Sequence, residues 1–183
     1  EYFSEMTDIA LSLGATIDKY IGDSMMVFFG DPETKGERED ARSCVKMALM
    51  MQEKIKSLQL KWKNEGFYDP FQIRMGINTG YCNVGNFGSD QRLTYTIIGG
   101  EVNIAQRLES AAPDNGILMS YETYAHAKDL VEVEELESIT MKGVKREIKV
   151  YSILDTLEPI EHSQSEEEVH LKNEVRVSLE ERL

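Results

Sequence analysis

A strand-turn-strand pattern between residues 15 and 30 constrains the fold of this chain more than any other segment. The sequence A-T-I-D-K-Y-I-G-D-S-M-M-V-F has the alternating pattern of a β-strand through Ile17 and Lys19 to Ile21. It continues as an apolar run from Met25 to Phe29. A Gly-Asp pair, Gly22-Asp23, separates the two runs, and such pairs are typical of tight hairpin turns. The pattern therefore predicts a β-hairpin with a partly buried strand pair.

Two charged side chains, Lys19 and Asp23, lie four residues apart in this predicted hairpin. A carboxylate on a rigid turn can bind a hard cation, and a lysine beside it can bind a nucleotide base or a phosphate. Asp is also a common turn-forming residue. The hairpin alone therefore leaves open whether Asp23 does more than form the turn.

A second informative segment runs from Tyr95 to Glu109 and is typical of a strand, a Gly-Gly turn and an amphipathic helix. Asn103 and Arg107 are four residues apart, so they share one helix face one turn apart. Arg is the side chain best matched to phosphate geometry. The pair suits an oxygen-rich anion, although an exposed polar helix face would have the same composition. The opposite stripe is apolar and predicts the buried face: Val102, Ala105, Leu108 and Ala112.

A third segment, M-K-G-V-K-R-E-I-K-V-Y from Met141 to Tyr151, predicts a basic loop that leads into a final strand. Lysines beside a glycine can contact a phosphate, and a solvated basic turn explains the same pattern equally well.

Periodicity predicts one domain of mixed helices and strands, because helical and strand patterns alternate along the chain. A glycine-rich turn is predicted at 85–89, without the G-K-[ST] of a phosphate-binding loop. The other predicted elements are helices at 2–13, 39–64 and 121–128, and strands at 71–78, 81–87, 93–97, 116–119, 130–136 and 147–154.

Composition excludes several classes of protein. The net charge of -13 argues against a nucleic-acid binder, which needs a basic face. Cys44 and Cys82 lie in apolar patterns and are interpreted as small buried side chains from a reducing compartment, with neither a disulfide nor a metal role. No apolar run approaches the ~20 residues of a membrane span, and no signal peptide is recognised, so we expect a cytoplasmic location for this domain, while its parent protein could be anchored in a membrane.

The C-terminal segment, residues 155–183, has nine acidic and three basic residues. This composition predicts a disordered acidic tail up to Glu168, followed by a small hairpin or a frayed helix. We assign the tail no function.

Four segments in one order resemble the catalytic domain of class III nucleotidyl cyclases, the adenylate and guanylate cyclases, and most of all the bacterial adenylate cyclases. They are I-D-K-Y-I-G-D-S-M-M-V-F, R-M-G-I-N-T-G (residues 74–80), Y-T-I-I-G-G-E-V-N-I-A-Q-R-L-E and the terminal M-K-G-V-K-R-E-I-K-V-Y. The resemblance covers about residues 1–154. It implies an α+β sandwich with a ferredoxin-like βαββαβ core and extra strands, which the mixed pattern also suits.

The resemblance implies roles for individual residues. Lys19 and Thr96 match the two base-selecting positions, and Asp23 matches the second of two metal-binding aspartates. Asn103 and Arg107 match the pair that orients the ribose and stabilises the α-phosphate in the transition state. The lysine that binds the β- and γ-phosphates is matched by Lys142, with Lys145 as the second choice.

The implied reaction converts ATP to 3′,5′-cyclic AMP and pyrophosphate with two Mg²⁺ (or Mn²⁺) ions. The family also implies a head-to-tail homodimer with shared sites, and we expect an upstream regulatory domain. Lys19 is the reason for ATP over GTP: a lysine donates to adenine N1 and Thr96 accepts from the 6-amino group, whereas guanine has a donor at N1. The unmatched polar groups would cost roughly 1–3 kcal/mol.

The family's first metal aspartate belongs to an F-x-D-I-x-x-F-T segment that this sequence does not contain. Because Mg²⁺ needs several oxygen ligands in near-octahedral order, we expect the polypeptide 1–183 to be inactive and its parent protein to be active. A cyclic AMP assay on that polypeptide tests this expectation.

Three alternatives stay open at this point. The chain could be a non-catalytic cyclase-homology module that dimerises or transmits a signal, or it could be a guanylate cyclase. Gly99-Gly100-Glu101 also resembles the signature of diguanylate cyclases, but that signature lies in a hairpin, and here a helical pattern begins instead.

Overall fold

The computed structural model describes residues 1–69, 71–140, 144 and 146–157. In these residues four helices and eight strands follow one another in the order α1 (Tyr2–Ser12), β1 (Thr16–Ile21), β2 (Ser24–Phe28), α2 (Glu37–Asn64), β3 (Met75–Ile77), β4 (Asn83–Ser89), β5 (Arg92–Ile98), α3 (Gly100–Ala111), β6 (Ile117–Ser120), α4 (Tyr121–Ala127), β7 (Val131–Ile139) and β8 (Ile148–Thr156).

The strands form a four-stranded mixed sheet and two hairpins. The sheet has the order β3-β6-β8-β7, in which β3 and β6 are parallel and the other neighbours are antiparallel. The hairpins are β1-β2 and β4-β5. The predicted fold class, an α+β arrangement with a mixed sheet, is confirmed.

Helix α2 forms the centre of the core because it is apolar on two sides. Val45, Ala48 and Leu49 pack with the mixed sheet. Met47, Met51, Ile55 and Leu58 pack with α1 and the β1-β2 hairpin. The hairpin therefore rests on the helical layer, where burial of apolar side chains is the dominant stabilising contribution.

Helix α3 packs on the mixed sheet through Ile104 and Leu108, which, with Ala112 just after the helix, form one buried cluster with residues of β6 and β8. The approach to β3 is very close: a Cβ added at Gly76 would lie 2.2 Å from the backbone oxygen of Ala105 and 2.2 Å from the backbone nitrogen of Glu109. A side chain at residue 76 would therefore separate helix and strand, and this explains the glycine in R-M-G-I-N-T-G.

The predicted helices and the β1-β2 hairpin are confirmed within one or two residues at most ends. The strand predicted at 71–78 is wrong in extent and is only three residues long, Met75–Ile77. Side chains satisfy the backbone before it: Gln59 donates to the Phe71 carbonyl, and the Ile73 amide donates to Asn115 Oδ1. Hydrogen bonds with side chains thus hold the segment before β3 in place of the backbone hydrogen bonds of a β-sheet.

The glycine-rich turn predicted at 85–89 is also wrong, because these residues belong to β4 and the turn is formed by Asp90 and Gln91. Gly88 has a φ of +141°, and an added Cβ would lie 2.0 Å from the Arg92 carbonyl oxygen. The glycine thus marks a close cross-strand approach inside the hairpin.

Lys142 and Lys145 lie outside the described residues, as does the tail from residue 158. Among the residues that are described, no helix has both the length and the apolar character needed to cross a bilayer.

Candidate active site

The β1-β2 turn carries Asp23 between the paired residues Ile21 and Ser24. Gly22 has a φ of +63°, a left-handed conformation that glycine adopts without strain, so the tight turn is available at low cost. Asp23 is exposed at the tip. Its carboxylate is therefore accessible to a ligand, and its role as a metal ligand stays a prediction.

The predicted base-selecting residues are in contact. Lys19 on β1 donates through Nζ to Thr96 Oγ1 on β5 at 3.1 Å. Thr96 is buried, with 7% of its surface exposed, whereas 43% of the Lys19 side chain is exposed. Lys19 is thus hydrogen-bonded to a buried hydroxyl while part of its side chain stays exposed to solvent. The structure brings these two residues together, and their role in base selection stays a prediction.

Asp18, which the sequence analysis did not single out, is the buried charge of this site. Its side chain is 0% exposed and its Oδ2 lies 3.0 Å from Lys19 Nζ. Oδ1 accepts a hydrogen bond from the Ile97 backbone amide at 3.1 Å. The available signal was an acidic residue directly beside Lys19 in a strand pattern.

Asn103 and Arg107 both lie on the exposed face of α3, one turn apart, as predicted. The helix begins at Gly100, directly after the last residues of β5. The α3 residues and Thr96 are thus connected by a short, continuous piece of chain, because only three residues lie between Thr96 and Gly100, the first residue of α3. Asn103 and Arg107 could contact an anion from this face; their catalytic role stays a prediction.

A cluster of polar side chains holds the N-terminal end of α3 in place. Asn78 Nδ2 donates to Glu101 Oε2 at 2.9 Å and to the Glu101 backbone oxygen at 3.0 Å. Arg146 contacts the same Glu101 carboxylate at 3.3 Å and also pairs with Glu122. The sequence pattern predicts Arg146 in a basic loop, and in the structure its guanidinium pairs with two carboxylates of the fold, Glu101 and Glu122.

Aromatic side chains fix the β1-β2 hairpin against α1. Phe3 and Tyr20 pack edge to face with centroids 4.8 Å apart, and the Tyr20 hydroxyl lies 2.7 Å from Thr7 Oγ1. Burial, and to a smaller extent the negative charge of Asp23, raise the pKa of Tyr2 on the same helix. Side-chain contacts of Tyr20 therefore hold the hairpin that carries Lys19 against α1.

The described residues fit only part of a metal site. Within them, no group of three or more His, Cys, Asp or Glu side chains could hold an ion. Asp23 fits one ligand position, and Mg²⁺ commonly takes one or two carboxylates together with substrate phosphates and water. Phosphate oxygens and further ligands would have to complete the shell.

Comparison with known proteins agrees with this arrangement. Residues 2–155 match the adenylate and guanylate cyclase catalytic domain family. The solved adenylyl cyclase CyaB from P. aeruginosa is 50% identical with a TM-score of 0.80, over 84% of this chain and 79% of that one. The guanylyl cyclase Cya2 is 32% identical with a TM-score of 0.79, over 90% of this chain and 82% of that one.

A curated relative, adenylate cyclase 1 of Rhizobium meliloti, is 28% identical over 162 residues, which is 87% of this chain. The chain spans 24% of that relative's length. Relatives named for either adenylate or guanylate cyclase activity thus share this domain. The family match over most of the chain, together with the fold, shows that the chain belongs to the adenylate and guanylate cyclase catalytic domain family.

Proposed function

We propose that the protein is an adenylate cyclase, which converts ATP to 3′,5′-cyclic AMP and pyrophosphate in signal transduction. The observation that carries the choice of ATP is the 3.1 Å hydrogen bond from Lys19 to Thr96. CyaB, with 50% identity, is named as an adenylyl cyclase and supports the same choice.

The donor and acceptor pattern of this pair matches adenine. The Lys19 ammonium has three protons, of which one is used on Thr96, so another can be donated to adenine N1. The threonine oxygen has a second lone pair, which can accept from the adenine 6-amino group. Guanine would place its N1–H against the ammonium, and that mismatch disfavours GTP.

The exposed face of α3 suits the reacting end of the nucleotide. Arg107 would stabilise the charge that develops at the α-phosphate during attack by the ribose 3′-hydroxyl, and Asn103 would hold the ribose. Asp23 would hold Mg²⁺, with Mn²⁺ as the other candidate; two such ions, when bound, would lower the pKa of the hydroxyl and neutralise the leaving pyrophosphate. Lys142 would bind the β- and γ-phosphates.

We further propose that two copies share each site in a head-to-tail homodimer. Lys19 and Asp23 lie on one short hairpin, so base and phosphates cannot both extend from it comfortably within one copy. One protomer would supply Asp23, and its partner would supply Lys19, Thr96, Asn103, Arg107 and Lys142. Apolar side chains exposed around the two hairpins suit such a seam: Tyr20, Ile21, Leu93, Tyr95 and Ile98.

The test is the product formed by the full-length protein from ATP and from GTP with Mg²⁺. We expect cyclic AMP, with kcat/KM for ATP at least about tenfold above that for GTP, since one unmatched polar group is worth roughly 1–3 kcal/mol. Lys19→Glu should remove this preference. The matched control is Lys63→Glu, the same charge reversal on an exposed lysine at the end of α2.

Each other outcome decides between the alternatives. Faster turnover of GTP would make the protein a guanylate cyclase. Nucleotide binding without turnover of either substrate, under conditions in which the fold is intact, would favour the non-catalytic cyclase-homology module.

A further inference from the structure

The β1 strand contains a bulge at Asp18. Ile17 pairs with Val27 and Lys19 pairs with Met26, so two adjacent residues of β2 face three residues of β1. Asp18 is the extra residue. Side chains of neighbouring residues in a regular strand point to opposite faces, and a bulge redirects them. The bulge explains how the carboxylate of Asp18 comes within 3.0 Å of the ammonium of the next residue.

The Asp18 carboxylate is completely buried. One of its oxygens contacts the backbone next to Thr96, and the other lies beside Lys19. Oδ1 accepts from the Ile97 amide, which directly follows Thr96 on β5. Oδ2 lies beside Lys19 Nζ at ion-pair distance, without the geometry of a hydrogen bond. A buried charge is costly unless it is paired, so the half-exposed Lys19 ammonium is drawn towards the interior.

This arrangement leaves the protons of Lys19 free for other acceptors. The ammonium donates to Thr96 Oγ1, while Asp18 holds it electrostatically. Long lysine side chains have many rotamers, and ordering one costs up to about 1.5–2 kcal/mol. Asp18 provides a fixed negative charge that favours one of these rotamers before any nucleotide binds.

We propose that Asp18 is a positioning residue for purine selection: it holds β5 through Ile97 and holds the Lys19 ammonium against Thr96. Asp18 does not touch the base. It acts through Lys19, and it makes the base-selecting pair rigid in the free protein. This proposal rests on the proposed function for its effect on ATP and GTP, but its structural part can be tested separately.

The first experiment is a crystal structure of the Asp18→Asn variant without nucleotide. The amide oxygen of Asn can still accept from the Ile97 amide, so the fold is retained, while the charge that holds Lys19 is lost. We expect Lys19 Nζ to leave hydrogen-bond distance of Thr96 Oγ1. If Lys19 stays on Thr96 in this variant, the positioning role is overturned, whatever the enzyme's substrate is.

The second experiment compares kcat/KM for ATP and GTP in the full-length protein. Asp18→Asn should lower the ATP value about tenfold, equivalent to about 1.4 kcal/mol, and leave the GTP value nearly unchanged. An equal loss for both nucleotides would mean that Asp18 serves only the fold. Glu132→Gln on β7 removes one exposed charge and serves as the control.

A double-mutant cycle with Lys19→Gln adds a sharper criterion. If Asp18 acts through Lys19, Asp18→Asn causes no further loss of discrimination in the Lys19→Gln background. Full additivity would contradict the proposal. Should Asp18→Asn give no folded protein, the smaller variant Asp18→Ser is measured in the same way.

The two proposals fail differently. A wild-type protein that prefers GTP, or turns over neither nucleotide, defeats the proposed function, while the Lys19–Thr96 distance in the variant crystal still decides the role of Asp18.

Discussion

Lys19 Nζ and Thr96 Oγ1 lie 3.1 Å apart although 77 positions separate the two residues in the sequence. The contact joins the β1-β2 hairpin to the β4-β5 hairpin, which belong to different sheets. Because α3 begins directly after β5, the same contact fixes the hairpin relative to the helix that carries Asn103 and Arg107. In the proposed enzyme, the residues that would bind the purine and those that would contact the phosphates therefore have a fixed relative position.

The hydroxyl of Thr96 should contribute to the preference for ATP. Thr96→Val keeps the shape of the side chain but removes the oxygen that accepts from Lys19 and that, in the proposed function, would accept from the adenine 6-amino group. We expect kcat/KM for ATP to fall about tenfold, as for the loss of a hydrogen bond to a charged group, with a smaller change for GTP. Thr94→Val, at an exposed position of the same strand, should change neither value. Equal losses for both nucleotides would contradict this prediction.

Shared sites can be tested by combining two inactive variants. Asp23→Ala and Arg107→Ala should each lower kcat by about 10²-fold or more, as for removal of a transition-state contact. When the two chains are co-expressed, half of the dimers are mixed and one of their two sites is intact, so about a quarter of wild-type activity should return.

The matched control combines Arg107→Ala with Asn103→Ala. Both residues would come from the same half of a site, so no mixed dimer has an intact site and no activity returns. Recovery in this control, or none in the Asp23 and Arg107 mixture, would rule out the proposed division of residues between protomers.

Replacement of Gly76 should separate α3 from the sheet. The added methyl of Gly76→Ala would meet backbone atoms of Ala105 and Glu109 at 2.2 Å, and backbone cannot rotate away as a side chain can. We expect the free energy of unfolding, measured in urea, to fall by about 3 kcal/mol, at the upper end of the cost of overpacking. Gly100→Ala, which meets nothing within 4 Å, is the control and should leave the stability within about 0.5 kcal/mol. Equal stability of the two variants would show that α3 can move without cost.

The two cysteines should differ in reactivity with pH. Burial against both halves of the core raises the pKa of Cys44 to about 12, because an apolar setting disfavours the charged thiolate. At pH 8 only about one Cys44 in 10⁴ is thiolate, and alkylation should accelerate about tenfold per pH unit as that fraction rises. Burial and the charge of Glu101 also raise the pKa of Cys82, but without so large an effect.

We therefore expect iodoacetamide at pH 8 to modify Cys82 well before Cys44 in the folded protein, and both rapidly in urea. Mass spectrometry of the two peptides gives the order. Modification of Cys44 as fast as Cys82 under native conditions would contradict the burial argument.

Local sequence patterns predicted the helices and strands in which one face is buried and the other is exposed to solvent. The hairpin around Gly22 and the exposed face of α3 were predicted, because periodicity reports directly which side is buried. The buried face of α3 was predicted only in part: Leu108 and Ala112 are buried, but the completely buried Ile104 was missed, and Val102 and Ala105 are half-buried. The predictions failed at residues 71–78 and 85–89. In the first, side chains of α2 and of Asn115 replaced a strand ladder; in the second, a glycine served a close cross-strand approach instead of a turn.

The sequence by itself determined the chemistry of the candidate site: a lysine and an aspartate around one tight turn, and an Asn and Arg pair on one helix face. These properties depend on residues a few positions apart, whose relation is fixed by hairpin and helix geometry. The tertiary structure alone decided that Thr96 meets Lys19, that Arg146 is bound by Glu101 and Glu122, and that the Asp18 carboxylate is buried between the hairpins. Such contacts depend on how separate elements pack, and on a bulge whose position no local periodicity encodes.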